Sequence, residues 1–179
     1  KDFYKYLELS EKDYYVDLPS KKDLGKFTLS PLDWFTEKYS FTLDSISNLR
    51  LMVTGMVPQE MLYGHRCGHA YISSLKYYLP LLKCNENEHV VVDAVAGTDL
   101  VSYGMFLGID AIVVVVEETP HSLGVFKQIN AIAQKFSIPT FAVLNKFRDT
   151  GKLNEFIENN NDIILGKIPF NDSILDYDF

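Results

Sequence analysis

No G-x-x-x-x-G-K-[ST] string occurs in the 179 residues of this chain. As written, it therefore has no backbone cradle for a phosphate and no lysine for the terminal phosphates. The nearest approach, Ser20 to Thr28, keeps Gly25-Lys26 but has Ser20 in place of the first glycine and Phe27 in place of the metal-binding hydroxyl. Cysteine is scarce. Cys67 and Cys84 alone exclude a disulfide framework and make a reducing, cytoplasmic location the default. No apolar run approaches the roughly 18 residues of a membrane span; the longest, around Ala111 to Val116, is strand-sized. The segment Lys1 to Glu11 is charged and lacks the apolar stretch of a signal peptide. Basic residues number 17 against 24 acidic, for a net charge of -7, which argues against a broad nucleic-acid footprint.

What remains has an ordinary globular balance, with 47% hydrophobic and 23% charged residues. The length suits one α/β domain over residues 1–179 with a core of its own. Residues 1–48 are weakly patterned. There Ser30 is placed to cap a short helix opened by Pro31-Leu32-Asp33. From residue 49 the pattern is regular. Leu49–Val57 is strand-like, weakened by Gly55, and Tyr71–Leu82 has Ile72, Leu75, Leu79 and Leu82 on one helical face. Apolar strands are predicted at His89–Asp93, Ala111–Val116, Phe141–Leu144 and Ile163–Ile168. Helices are predicted at Leu123–Phe136, with the stripe Ile129, Ile132, Ala133 and Phe136, and at Lys152–Asn159. Apolar strands alternating with helices predict a mostly parallel, doubly wound sheet with helices on both faces.

In such sheets ligands bind beyond the carboxyl ends of the strands. Four strand ends therefore carry the candidates. Asp93 closes Val90-Val91-Val92 and is followed by Gly97. An acid at that place holds Mg²⁺ beside a nucleotide phosphate, and a glycine permits close backbone approach; the alternative is an Asp that merely caps the next element. Glu117-Glu118-Thr119-Pro120 follows the next strand. Asn145-Lys146 comes after that, and an Asn amide both donates to and accepts from a purine edge. Pro169 stops the last strand, so that Phe170 and the loop beyond it could wall a base pocket. Separately, His65, Cys67 and His69 fall within five residues before a helix. They suit Zn²⁺ or Ni²⁺, although three ligands leave a tetrahedral site incomplete without a second subunit or segment. The alternative is a polar loop of coincidental composition. His89 and His121 read as surface or capping residues, and Cys84 as a small hydrophobe or surface thiol.

Taken in order, these strings resemble the C-terminal two-thirds of the CooC-type branch of the MinD/ParA P-loop ATPases. The resemblance runs from Gly64 to Asp178 through His65-Arg66-Cys67, Asp93-Ala94-Val95-Ala96-Gly97, Glu117-Glu118-Thr119-Pro120, Asn145-Lys146 and Ile168-Pro169-Phe170-Asn171-Asp172. It implies a P-loop NTPase-like fold and an ATP/ADP site with Mg²⁺. It also implies a nucleotide-driven homodimer and a role in nickel insertion into a client metalloenzyme. Carried over residue by residue, Asp93 is the Mg²⁺-side acid and Gly97 the phosphate-side glycine. Asn145 meets adenine with Lys146 next to it, Pro169 and Phe170 flank the base, and Cys67 is a metal cysteine. His65 stands where the family has the first metal cysteine.

The family's first strand and phosphate loop have no counterpart here, and the chain starts at Lys1 rather than Met. Two arrangements follow: an upstream segment supplies them, or the chain is a degenerate interaction module that does not hydrolyse ATP. ATPase activity is not expected from these residues by themselves. A receiver- or flavodoxin-like domain is a third reading; Asp93 and Lys146 mimic part of a receiver, but no acidic pair follows an earlier strand.

Overall fold

The computed structural model describes residues 27–43, 46–53, 69–95, 97–98, 101 and 108–174. The chain divides into two compact units, residues 1–93 and 94–179.

The first unit contains β1 (Phe27–Thr28), α1 (Trp34–Tyr39), β2 (Ser40–Leu43), β3 (Ile46–Met52), α2 (His69–Leu81) and β4 (Leu82–Lys83). β1 pairs in parallel with β4, and β2 with β3 in an antiparallel hairpin that sets Phe41 opposite Leu51. The core gathers Phe27, Phe35, Tyr77, Tyr78, Leu79 and Leu81. Leu79 and Leu75 of the predicted helical face reach it, and so does Leu82, which has left the helix for β4. The Phe27 and Tyr78 rings meet at 4.7 Å.

Helix α1 starts later than Ser30 would dictate. Residues 29 and 32 bridge in antiparallel fashion, so the chain is still turning there. Asp33 becomes the cap, and its carboxylate accepts from the Phe35 and Thr36 amides at 2.8 and 3.0 Å. It also accepts from the Thr28 amide at 2.9 Å and from the Thr36 hydroxyl, whose oxygen lies 2.9 Å from the buried Tyr78 hydroxyl. Burial holds the Tyr78 phenol above its ordinary range.

The run His89–Asp93, expected as an apolar strand, departs from that expectation. It is not a strand, and Val91 is 91% exposed. Val92 alone packs, against the core of the first unit. An apolar run becomes a strand only where a neighbouring edge takes its N–H and C=O groups, and none of the described strands pairs with it. Asn85–Glu88 is a closed turn: the Asn85 amide donates to the Glu88 carboxylate at 2.8 Å, and the Glu88 amide to the Asn85 carbonyl at 3.0 Å.

The second unit is the regular one. β5 (Ile112–Val116), α3 (Pro120–Lys135), β6 (Thr140–Phe147), α4 (Asn154–Asn160) and β7 (Ile164–Pro169) alternate, and the strands form a parallel sheet ordered β5-β6-β7. Thr119 caps α3 by accepting from the Ser122 amide at 3.1 Å, with Pro120 at the first helical position. Burial along β5 and most of β6 alternates. Ile112, Val114, Val116, Ala142 and Leu144 face Phe126, Ile129 and Ala133 of α3 and Phe156 of α4. Phe126 and Phe156 meet edge to face at 5.0 Å. On the opposite face Val113 and Val115 remain 52% and 58% exposed. This is an α/β fold of parallel strands and packed helices. Among the described residues no helix is long and apolar enough to cross a membrane.

Candidate functional site

β6 is the central strand of its sheet, and its carboxyl end is irregular. Leu144 was expected to be its last residue, with Asn145 and Lys146 beyond. Instead the strand continues to Phe147, because Phe147 pairs with Pro169 and its carbonyl accepts from the Phe170 amide at 3.0 Å. Between the Leu144–Lys167 and Phe147–Pro169 pairings β6 holds one residue more than β7, a bulge. Lys146 sits in it with φ at 50°, a left-handed conformation that a lysine rarely adopts. Bulges of this kind re-aim side chains, and here the Lys146 ammonium meets the Glu117 carboxylate at 2.9 Å.

The acid pair after β5 thus engages the chain leaving β6 twice. Glu117 takes Lys146. Glu118 accepts from the Arg148 amide and from the Thr150 hydroxyl, both at 2.9 Å. The Glu117 amide in turn donates to the Ser122 hydroxyl at 3.0 Å, which ties the turn to the start of α3. Arg148 lays its guanidinium over the Phe170 ring at 3.6 Å from the centroid. The Lys167 ammonium lies 4.7 Å from the Phe147 ring. Asn145 is half-buried, and its amide has no hydrogen-bond partner among the described residues.

The sheet therefore brings Asn145, Lys146, Pro169 and Phe170 to one end, with Glu117, Glu118, Arg148 and Thr150 around them. Chemically this end offers an amide able to read a base edge, aromatic and guanidinium planes for stacking, and a lysine balanced by an acid. Glu118, Arg148 and Thr150 had no assigned role from sequence. The signal that could have found Glu118 was its place at the carboxyl end of a strand next to β6; nothing in the sequence shows that Arg148 would stack on Phe170.

The other sequence candidates fall in other segments of the chain. Asp93 is exposed at the end of the first unit, and Gly97, near the start of the second, has φ at 102°, which favours glycine, with nothing among the described residues within 4 Å of where a side chain would begin. His65 and Cys67 lie outside the described residues, as does the side chain of His69, which opens α2. Among the described residues no group of three His, Cys, Asp or Glu could hold a metal ion. Cys84, His89 and His121 are exposed.

No protein-family model matches the chain. Its sequence is 28% identical over 180 residues to the uncharacterized ATP-binding protein MJ0084 of Methanocaldococcus jannaschii, an alignment covering 98% of this chain and 69% of that protein. A plasmid partition protein from Borrelia burgdorferi B31, solved bound to AMPPNP, superposes with a TM-score of 0.56 at 16% identity, covering 99% of this chain and 73% of that one. A second plasmid partition structure from Borrelia burgdorferi gives 0.52 at 14% identity, covering 96% and 72%. The chain therefore has the α/β fold of these plasmid partition proteins.

Proposed function

We propose that this chain is a MinD/ParA-like nucleotide-binding protein that takes ATP or ADP at the carboxyl end of the β5–β7 sheet. One observation carries the reading: Asn145 and Lys146, at the irregular end of the central strand, stand beside Pro169 and Phe170. Carboxyl strand ends are where open α/β sheets bind ligands. The similarity to a protein described as ATP-binding, and the fold shared with a partition protein bound to AMPPNP, support it. In this reading Asn145 reads the adenine edge, Phe170 and Pro169 flank the ring, and Lys146 is held in place by Glu117.

Mg²⁺ binds through one or two carboxylates plus substrate phosphates. Asp93, an exposed carboxylate, has the chemistry for that role, and the MinD/ParA resemblance supports giving it the Mg²⁺ side and Gly97 the phosphate side. When bound, the ion would neutralise phosphate charge; Asp93 would orient it, through water or directly.

The narrower CooC-type assignment is a homodimeric, cytoplasmic accessory that delivers nickel to a client metalloenzyme. It rests on His65-Arg66-Cys67, the string shared with that branch, with His69 nearby in sequence as a further ligand. Cys67→Ser is expected to lower Ni²⁺ or Zn²⁺ stoichiometry, and full retention of metal would dismiss it. The second reading is an interaction module on one α/β domain that does not hydrolyse ATP. The unpaired, exposed state of Val90 and Val91 ahead of Asp93 favours it, since a Walker B-type acid is ordinarily held by a buried strand.

The test is calorimetric titration of the full-length protein with Mg-ADP. Asn145→Ala and Asp93→Ala are each expected to weaken binding about tenfold, the scale of one or two lost polar contacts. Unchanged affinity in both variants would sink the residue assignment. Binding without hydrolysis would favour the interaction module.

A further inference from the structure

We propose that Arg148, stacked on Phe170 and pinned by Glu118, is the outer layer of a nucleobase platform at the carboxyl end of the sheet. The inference rests on the nucleotide reading above and adds two residues to it: a base-stacking arginine and a positioning glutamate.

The geometry is that of a preassembled stack. A separation of 3.6 Å from guanidinium carbon to ring centroid places the cation directly over the Phe170 face. Phe170 is half-buried, and its amide is bound to the Phe147 carbonyl, so its backbone is tied to β6. Arg148 is exposed, and its guanidinium has no carboxylate partner among the described residues. An arginine held for charge pairing would find an acid. This one is held by an aromatic face, and the residue is exposed to solvent. A planar, weakly hydrated guanidinium is a good surface for a purine to stack on.

Glu118 supplies the second half of the argument. An arginine on a free loop would lose much of any stacking energy to ordering. Here the Glu118 carboxylate accepts from the Arg148 backbone amide and the Thr150 hydroxyl together, tying the Arg148 backbone and the Thr150 side chain to one group before any ligand arrives. Asn145, three residues upstream and with no partner for its amide among the described residues, is the group available to read the edge of a base lying on that platform.

A stacking role and a phosphate-binding role for Arg148 make different predictions. Stacking acts on the base, and a lysine cannot reproduce the plane. Phosphate binding acts on any polyphosphate, and a lysine substitutes in part. The experiment is calorimetric titration of the full-length protein, as wild type, Arg148→Ala, Arg148→Lys and Glu118→Gln, with Mg-ADP and separately with Mg-pyrophosphate. Arg148→Ala is expected to weaken ADP roughly tenfold, within the range of single base-stacking contacts, and to leave pyrophosphate unchanged. Arg148→Lys should not restore ADP affinity. Glu118→Gln should weaken ADP less than Arg148→Ala and spare pyrophosphate. Unchanged ADP affinity in Arg148→Ala, equal losses for both ligands, or rescue by lysine would each overturn the platform. Unchanged ADP affinity in Glu118→Gln would overturn its positioning role. If the wild type binds pyrophosphate but not ADP, the nucleobase platform fails while phosphate binding stands. If it binds neither, the nucleotide reading fails and takes the platform with it.

Discussion

The Lys146 ammonium lies 2.9 Å from the Glu117 carboxylate, and it reaches there from a backbone held at φ 50°. The contact joins the ends of two neighbouring parallel strands, β5 and β6. Both side chains are well exposed, at 59% and 39%, so solvent screening leaves the pair worth little in stability. Its consequence is positional: the lysine is parked across the strand ends.

That relationship predicts opposite outcomes for two substitutions at one position. Lys146→Gly relieves the left-handed backbone and forfeits only a screened ion pair, so its stability should stay within about 1 kcal/mol of wild type. Lys146→Val adds a β-branched side chain where φ is positive and should cost roughly 1–3 kcal/mol. Urea unfolding of the two variants decides; equal destabilisation by both would mean that the bulge conformation carries no strain.

Thr140 is buried at the start of β6, and its hydroxyl oxygen has no hydrogen-bond partner among the described residues. Thr140→Val keeps the shape and removes a desolvated polar group. It should stabilise the protein by up to about 1 kcal/mol, seen as a higher urea midpoint at constant m-value. A loss of stability would mean that a bound water satisfies the hydroxyl.

Phe126 is buried on α3 against Phe156 and the sheet. Phe126→Ala should cost about 3–5 kcal/mol by lost burial and an unfilled cavity, and Phe126→Leu markedly less. Thermal unfolding of the two variants provides the comparison, and similar losses would show that the core collapses around the gap.

Asp33 serves as helix cap and as acceptor from Thr28 and Thr36. Asp33→Ala should therefore exceed an ordinary cap loss and reach about 2 kcal/mol. Asp33→Asn should recover part of it, since an amide oxygen still accepts. A cost below about 0.5 kcal/mol for Asp33→Ala would show that water replaces the network.

Tyr78 sets an alkaline limit. Burial raises its phenol above the ordinary value of 10.0. The sign follows from protonation: the folded state holds this proton more tightly than the unfolded chain. The contribution is complete below about pH 10 and is lost as pH rises toward the raised value. Tyr78→Phe should flatten that alkaline decline and lower stability at neutral pH by about 1 kcal/mol through the lost contact with Thr36. The check is urea unfolding at neutral and alkaline pH; an unchanged alkaline slope would locate the titration elsewhere.

Periodicity and composition were enough for the second unit. The valine-rich β5 and the Ile129–Ala133 stripe of α3 stand close to where alternating apolar strands and helices place them, because each helix is long enough to bury one face against a strand that neighbours it in sequence. The strand-end rule likewise picks out Asn145, Lys146, Pro169 and Phe170, which the sheet brings to one end. The first unit was less legible. Among the described strands β2 and β3 pair only with each other, and Phe41, Leu49 and Leu51 are exposed, so no clean alternation marks them.

What the sequence determined by itself is the alternation of strand and helix and the identity of the residues at the strand ends. Those are local properties, set by side-chain spacing. What only the tertiary structure decided is which apolar runs pair. Val90-Val91-Val92 and Val113-Val114-Val115 are nearly alike in composition, yet only the second becomes a strand, since pairing depends on a neighbouring edge that sequence does not display. The same holds at the candidate site. Glu117 meeting Lys146, Glu118 holding Arg148 and Thr150, and Arg148 covering Phe170 all join residues brought together by the parallel register of β5, β6 and β7, and register is a property of the sheet.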